Sequence, residues 1–222
     1  IGGVKLENAL LISLKVVVTA LFLALFLSLI LAWRVSNTHG KLEKILEWVT
    51  MLPIFFPPSA VGYGVLILFG KNGTIGRFLY KFFEMRLIFT WYAGVITTFI
   101  VIFPIIYKSI KSGFFSIDKS LKEASIELGA TKFQRLIYVE LPLIKRYIYT
   151  GVILAFGRGF GEFGAMVMVS GNIPEKTQTI PMALYSAVET GDYSEANAIM
   201  AVIILISMTS ILIYNRVLKN EN

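Results

Sequence analysis

Several stretches of this chain run for about twenty apolar residues, the length a helix needs to cross the hydrocarbon core of a bilayer. Trp48–Gly70, Leu87–Tyr107 and Ala196–Asn215 contain no charged residue, and Leu10–Trp33 contains only Lys15. Inside a bilayer every backbone N–H and C=O must be satisfied by the chain itself, which leaves helices and closed barrels. These runs are continuous, without the apolar-polar alternation of a barrel strand, so the expected fold class is all-α, a polytopic helical membrane protein. Only 16% of the residues are charged, where soluble domains carry about a quarter. A soluble fold is set aside on that ground.

The pattern predicts five spans, at about 9–33, 48–70, 87–107, 142–168 and 196–216, in a single transmembrane domain covering 1–222. Pro53, Pro57 and Pro58 interrupt the second, which either kinks there or begins after Pro58. The first span is too long and lacks the processing site of a cleaved signal peptide. The chain opens on Ile1 and not Met, and a few preceding residues are expected. Lys and Arg in short loops set orientation. Arg34, Lys41 and Lys44 follow span one, eight basic residues from Lys108 to Arg146 follow span three, and Arg216 and Lys219 follow span five. The loop after span four holds Lys176 against Glu175, Glu189, Asp192 and Glu195. The N-terminus is therefore expected outside and the C-terminus in the cytoplasm of a cell-membrane protein. Lys71, Arg77, Lys81 and Arg86 dissent. They are read as snorkelling at the interface, or else as attracting an anionic substrate.

The formal charge of +7 is spread over loops beside spans, which suits an anionic membrane surface and not nucleic acid. The chain has no cysteine, which excludes disulfides, thiolate-zinc sites and thiol catalysis. His39 is the only histidine, in a cytoplasmic loop by this reading, and no cluster of metal-ligating type accompanies it. No cofactor or metal is expected. Gly159–Gly164 fits GxGxxG, but that pattern binds dinucleotides only between a strand and a helix. Ala60–Gly64 is similar to a potassium filter yet continues into apolar residues as a helix would.

Between spans three and four lies a polar, helix-forming segment at 117–135. Ser116 is placed as its N-cap with Asp118 in the first turn. Ile117, Leu121, Ala124 and Leu128 share one helical face. Gly129 stands where a C′ glycine ends a helix, and Thr131 can cap a second short helix leading to Leu141-Pro142, where the fourth span can start. The spacing is Glu123-Ala124-Ser125, three residues, Gly129-Ala130, then an aliphatic residue two positions before Leu141-Pro142. It resembles the cytoplasmic coupling loop of permease subunits in bacterial and archaeal ABC importers. The resemblance implies that Glu123, Ala124, Ser125, Leu128, Gly129, Ala130, Leu141 and Pro142 serve ATPase coupling. Small Ala124 and Ser125 would let the helix enter a groove on an ABC ATPase subunit dimer, and Glu123 would hold the bend or a partner residue. The chain has no Walker A sequence, so it is read as a transport subunit that does not hydrolyse ATP, the ATPase being another chain.

Residues 52–76 and 157–181 resemble the permease subunits of molybdate and tungstate importers, through Pro57-Pro58, Gly62-Tyr63, Phe69-Gly70, Asn72-Gly73, Gly161-Glu162-Phe163-Gly164, Gly171-Asn172 and Thr177–Pro181. Sulfate and thiosulfate permeases share part of this pattern, so sulfate is the alternative cargo. A passive anion channel or a membrane enzyme has less support. The resemblance implies a homodimer with its oxyanion path at the two-fold interface, facing an extracytoplasmic substrate-binding protein. Pro57, Pro58, Arg158, Glu162, Gly164 and Asn172 are the pathway and gate candidates. Arg158 and Glu162 are four residues apart within a span, where ionisable groups are costly and mark functional sites. Either Glu162 orients Arg158 or braces a gate, or the two are a structural pair.

Overall fold

The structure, a computed structural model, describes residues 6–38 and 40–219, with the side chains of 42 and 43 excepted. Ile1 and His39 lie outside the described residues. Helix α1 spans Leu6–Asn37, α2 Lys41–Phe55, α3 Pro58–Phe69, α4 Thr74–Phe83, α5 Trp91–Ser116 and α6 Lys119–Glu127. Then come α7 (Lys132–Arg135), a π turn (Leu136–Glu140), α8 (Leu141–Phe160), α9 (Gly164–Ser170), α10 (Ile180–Glu189) and α11 (Tyr193–Lys219). No strand occurs among the described residues.

The spans follow the apolar runs, with revised ends. Helices α1, α5 and α11 are each long and apolar enough to cross a membrane, and two bent pairs bring the number to as many as five. In the first pair residues 44–55 and 58–69 meet at 117°. Proline disfavours helical geometry at the residue before it, so Phe56 and Pro57 turn extended, at ψ 139° and 141°. Pro58 then opens α3 at a position where a missing N–H costs nothing. Pro53 stays inside α2. In the second pair helix runs from Lys132 to Phe160, then breaks, and α9 leaves at 60°. The expected start near Pro142 agrees with α8, which opens at Leu141 with Pro142 in its first turn, although a continuous helical run already enters it from Lys132 through the π turn. The expected third span, 87–107, is shifted. Its helix begins at Trp91 and continues past Lys108 and Lys111 to Ser116.

Helix α5 is the central post. It buries Thr97, Thr98, Ile102, Ile106, Tyr107, Ile110 and Phe114. Against it α1 lays Val16, Ala20, Ala24, Ser28 and Ala32, one small residue per turn. In lipid the apolar effect does not drive helices together, and close approach over small residues supplies the attraction instead. The opposite face of α1 leaves Phe22 and Phe26 exposed, as a lipid-facing surface would be. The crossing of α5 with α8 depends on two glycines. A Cβ on Gly113 would lie 2.9 Å from that of Tyr147, and one on Gly151 2.8 Å from that of Ser109. Ser109 Oγ seals the crossing by donating to the Tyr147 carbonyl at 2.6 Å.

Long-range bonds sort the loops into two ends. Arg135 reaches Asn37, Lys111 pairs with Glu47, and Arg146 donates to the Leu218 carbonyl. At the other end Ile180 N–H donates to Ser13 Oγ and Phe89 N–H to the Val169 carbonyl. The basic loops after spans one, three and five therefore share one end of the bundle. Lys15, the lone charge of the first span, lies with its Nζ 3.8 Å from the Trp91 ring centre.

Candidate functional site: an uncovered docking helix and a capped half-helix

At the basic end, α6 is held by bonds at its two ends, and several of the residues expected to work there take part in them. Ser116 belongs to α5, and the expected cap there is corrected: Asp118 is the N-cap, its carboxylate accepting from Ser120 N–H at 2.9 Å. That backbone bond, followed by a side-chain bond to Ser120, holds the Asp118 pKa below its ordinary value. At the other end the chain closes in a Schellman motif, with Gly129 N–H donating to the Ile126 carbonyl and Ala130 N–H to that of Ser125. Gly129 has φ +81° and open space around its missing Cβ. Conformation and not crowding demands glycine there. Thr131 and Gln134 cap α7 reciprocally. Lys122 Nζ donates to the Phe114 carbonyl at 3.4 Å, tying α6 to the end of α5.

Within this frame Ser125 is buried while Glu123, Ala124 and Gly129 are exposed. Leu121, Ile126 and Leu128 are 46, 56 and 88% exposed. The expected face is therefore split, because Ile117 packs into the core and Leu128 points away from it. Glu123 has no hydrogen bond or ion pair with the described residues, so the bend is held by the caps and not by Glu123.

Below α7 lies a pair that sequence reading missed. Arg135 Nε donates to Glu140 Oε1 at 3.0 Å, and its Nη2 donates to Asn37 Oδ1 at 3.0 Å. Arg135 is 8% exposed and Glu140 is fully buried. The two are five residues apart, the repeat of the π turn between them, which puts i and i+5 on one side. The available signal was a lone Glu beside Leu141-Pro142 at the head of an apolar helix, since a buried carboxylate needs a partner.

Midway along the bundle the break between α8 and α9 is organised by Glu162, which is 1% exposed. One carboxylate oxygen accepts from Ala165 N–H at 2.9 Å, capping α9, and the other lies 2.6 Å from Arg158 Nη1. The Arg158 side chain is 38% exposed. It lies on a groove of about 490 Å³ between α8 and α11, with Gly157, Ser207, Ser210, Tyr214 and Asn215. Helix α3 packs across the start of α9. A Cβ on Gly164 would sit 3.3 Å from that of Pro58, and one on Gly62 only 2.7 Å from the Ala165 carbonyl oxygen. The two distant segments, 52–76 and 157–181, thus meet as two half-helices with Pro58, Glu162 and Gly164 at their junction. Asn172 is elsewhere. Its side chain donates to Ser186 Oγ at 2.7 Å and accepts from Gln178 Nε2 at 2.9 Å, knitting the loop after α9. Thr177, Gln178 and Thr179 are buried in that loop.

A family model described as "Binding-protein-dependent transport system inner membrane component" matches residues 24–220. The Bacillus subtilis protein YvgM is 40% identical over 78% of this chain and 75% of its own length. The molybdenum transport system permease protein ModB of Haemophilus influenzae is 33% identical over 93% of this chain and 90% of its own. Among solved structures, a bacterial ABC transporter involved in import of the acidic polysaccharide alginate superposes with a TM-score of 0.77 at 16% identity. The match covers 97% of this chain and 80% of that one, and it shows a shared fold.

Proposed function

The chain belongs to the binding-protein-dependent transport system inner membrane components, and from that premise we propose that it carries molybdate or tungstate as a homodimer driven by a separate ABC ATPase dimer. The observation that supports coupling most is the state of α6. Its ends are fixed by an Asx cap and a Schellman motif, while Leu121, Ile126 and Leu128 stand uncovered in water. A stiff helix with an unpartnered apolar edge at the basic end of a membrane bundle suits insertion into a groove of a soluble partner. Ala124 and the buried Ser125 keep its back thin. Glu123 is free to pair with that partner, and Leu141 and Pro142 lie on the helix that carries the displacement towards the break at Gly161. The basic end then faces the cytoplasm, with the N-terminus outside, and the loops around Asn72 and Asn172 face a substrate-loaded binding protein.

For the cargo, Arg158 supplies a guanidinium on an open groove inside the span, and tetrahedral oxyanions suit its fork of donors. Glu162 holds that guanidinium in place and offsets its charge. A path must bind an anion strongly enough to admit it and weakly enough to release it, and a paired arginine suits that compromise better than a bare one. Pro57, Pro58 and Gly164 form the joint at which α3 and α9 can shift. Asn172 is assigned to the loop and not to the path. The test is uptake of labelled molybdate by vesicles holding the chain, its ATPase and its binding protein, with tungstate and sulfate as competitors. Flux that requires ATP and yields to tungstate but not sulfate is the expected result. Flux without the ATPase would make the chain a channel, and competition by sulfate alone would change the cargo.

A further inference from the structure

The amphipathic helix α4, Thr74–Phe83, is not used by the coupling or the path proposed above. Ile75, Phe78, Leu79, Phe82 and Phe83 fall at i, i+3, i+4, i+7 and i+8, the spacing of one apolar stripe. The stripe is bare: Phe78, Phe82 and Phe83 are 54, 63 and 67% exposed. Another side turns inward at buried Gly76, and Tyr80, itself exposed, borders a groove with Leu87 and Ile88. A third side carries Arg77 and Lys81, and Lys71 and Arg86 flank the helix, against Glu84 alone. A Cβ on Gly76 would be 2.0 Å from the Gly70 carbonyl oxygen, and one on Gly73 2.2 Å from that of Ile67. This glycine turn brings the backbone of α4 close against the end of α3.

We propose that α4 lies in the membrane interface at the end of the bundle opposite α6, its phenylalanine stripe among acyl chains and Arg77 and Lys81 on the phosphates of anionic lipids. Four observations favour lipid over other occupants. The bare face of α4 is accompanied by exposed apolar side chains on α3, Tyr63 and Ile67. The charge is of the sign anionic headgroups attract. A helix with Phe on one side and Lys and Arg on another is the composition of an interfacial helix. Its place is where a bent span ends, the depth of aromatic and basic belts. The consequence reaches the break in the bundle. Helix α3 carries α4 at one end and packs on Gly164 and Ala165 at the other, so an interface that holds α4 also holds one wall of the junction with α9. The inference rests on the chain being a membrane component and is independent of its cargo.

The chain has no native cysteine, so single spin labels can be placed cleanly. The full transporter, in nanodiscs of phosphatidylcholine with or without phosphatidylglycerol, is labelled at Phe78→Cys or Phe82→Cys on the stripe and at Lys81→Cys on the basic side. The expected ratio of oxygen to water-soluble nickel collisions is several-fold higher on the stripe than at Lys81→Cys. Phosphatidylglycerol raises it further, and Arg77→Gln with Lys81→Gln in the Phe82→Cys background removes that increment. Equal nickel access on both sides overturns the proposal. So does strong spin–spin coupling between Phe82→Cys labels of two copies, which identifies a protein interface, or protection that appears only when the binding protein is added. A stripe that is buried in lipid but indifferent to phosphatidylglycerol overturns the anionic-headgroup assignment.

Discussion

Glu162 is required by two neighbours at once, and its two oxygens separate their demands. Glu162→Gln keeps an acceptor for Ala165 N–H but removes the charge facing Arg158. The fold should survive with a loss of about 1 to 3 kcal/mol, the range for a disrupted hydrogen-bonded charge, because Arg158 retains access to the groove. Arg158→Ala removes the cation itself. Molybdate flux in vesicles is expected to fall at least tenfold while binding of the ATPase, measured by co-purification, stays intact. Unchanged flux with a lower melting temperature would leave the pair structural. Gly129 gives a cleaner case, since φ +81° is its only constraint. Gly129→Ala should cost about 1 kcal/mol by thermal denaturation, the price of a left-handed conformation for a residue with a Cβ. Gly129→Pro, locked near φ −65°, should abolish ATP-driven uptake although the chain still inserts.

On the proposed coupling, helix α6 would serve docking and the buried pair beneath it transmission. Leu128→Asp alters a side chain that touches little of its own molecule, so folding should be unaffected while the ATPase no longer co-purifies. Glu140→Ala should act in the reverse sense. It strands Arg135 at the base of α7, and removing one partner of a buried pair costs about 3–5 kcal/mol. The variant is expected to melt earlier and to lose uptake while an ATPase still binds α6 in the folded fraction. Much of this region was legible in the sequence. Gly129 and the Thr131 cap are local, each specified by a few adjacent residues, and both stand where spacing put them. The Asp118 cap was misplaced by two residues because Ser116 and Asp118 are both good caps, and only the length of α5 decides between them. The Arg135–Glu140–Asn37 contact could not be read, since it needs a π turn and a residue 98 positions away.

Across the whole bundle, apolar length disclosed the spans but not how two of them bend. Pro57-Pro58 signalled a break, whereas the break at Gly161–Phe163 rests on Glu162 capping a new helix, a tertiary choice. Helix α4 stands where the charge pattern after span two reads as a loop, although its apolar stripe is present at full helical spacing. Charge also orders the molecule from end to end. Lys41, Lys44, Lys111, Lys132, Lys145, Arg146 and Arg216 gather at the end that carries α6, whereas Glu175, Glu189, Asp192 and Glu195 lie in the loops and helix ends at the other end. Basic loops are retained in the cytoplasm, and a docking helix is useless on the side without ATP. If both statements describe this chain, a thiol at Lys132→Cys should react with a membrane-impermeant maleimide only in inverted vesicles, and one at Lys176→Cys only in intact cells. The reverse labelling would put α6 outside and remove the ATPase from the scheme. Labelling of Lys71→Cys from outside, despite its positive charge, is the third expected outcome, because that residue is held by the interfacial setting of α4 and does not vote on topology.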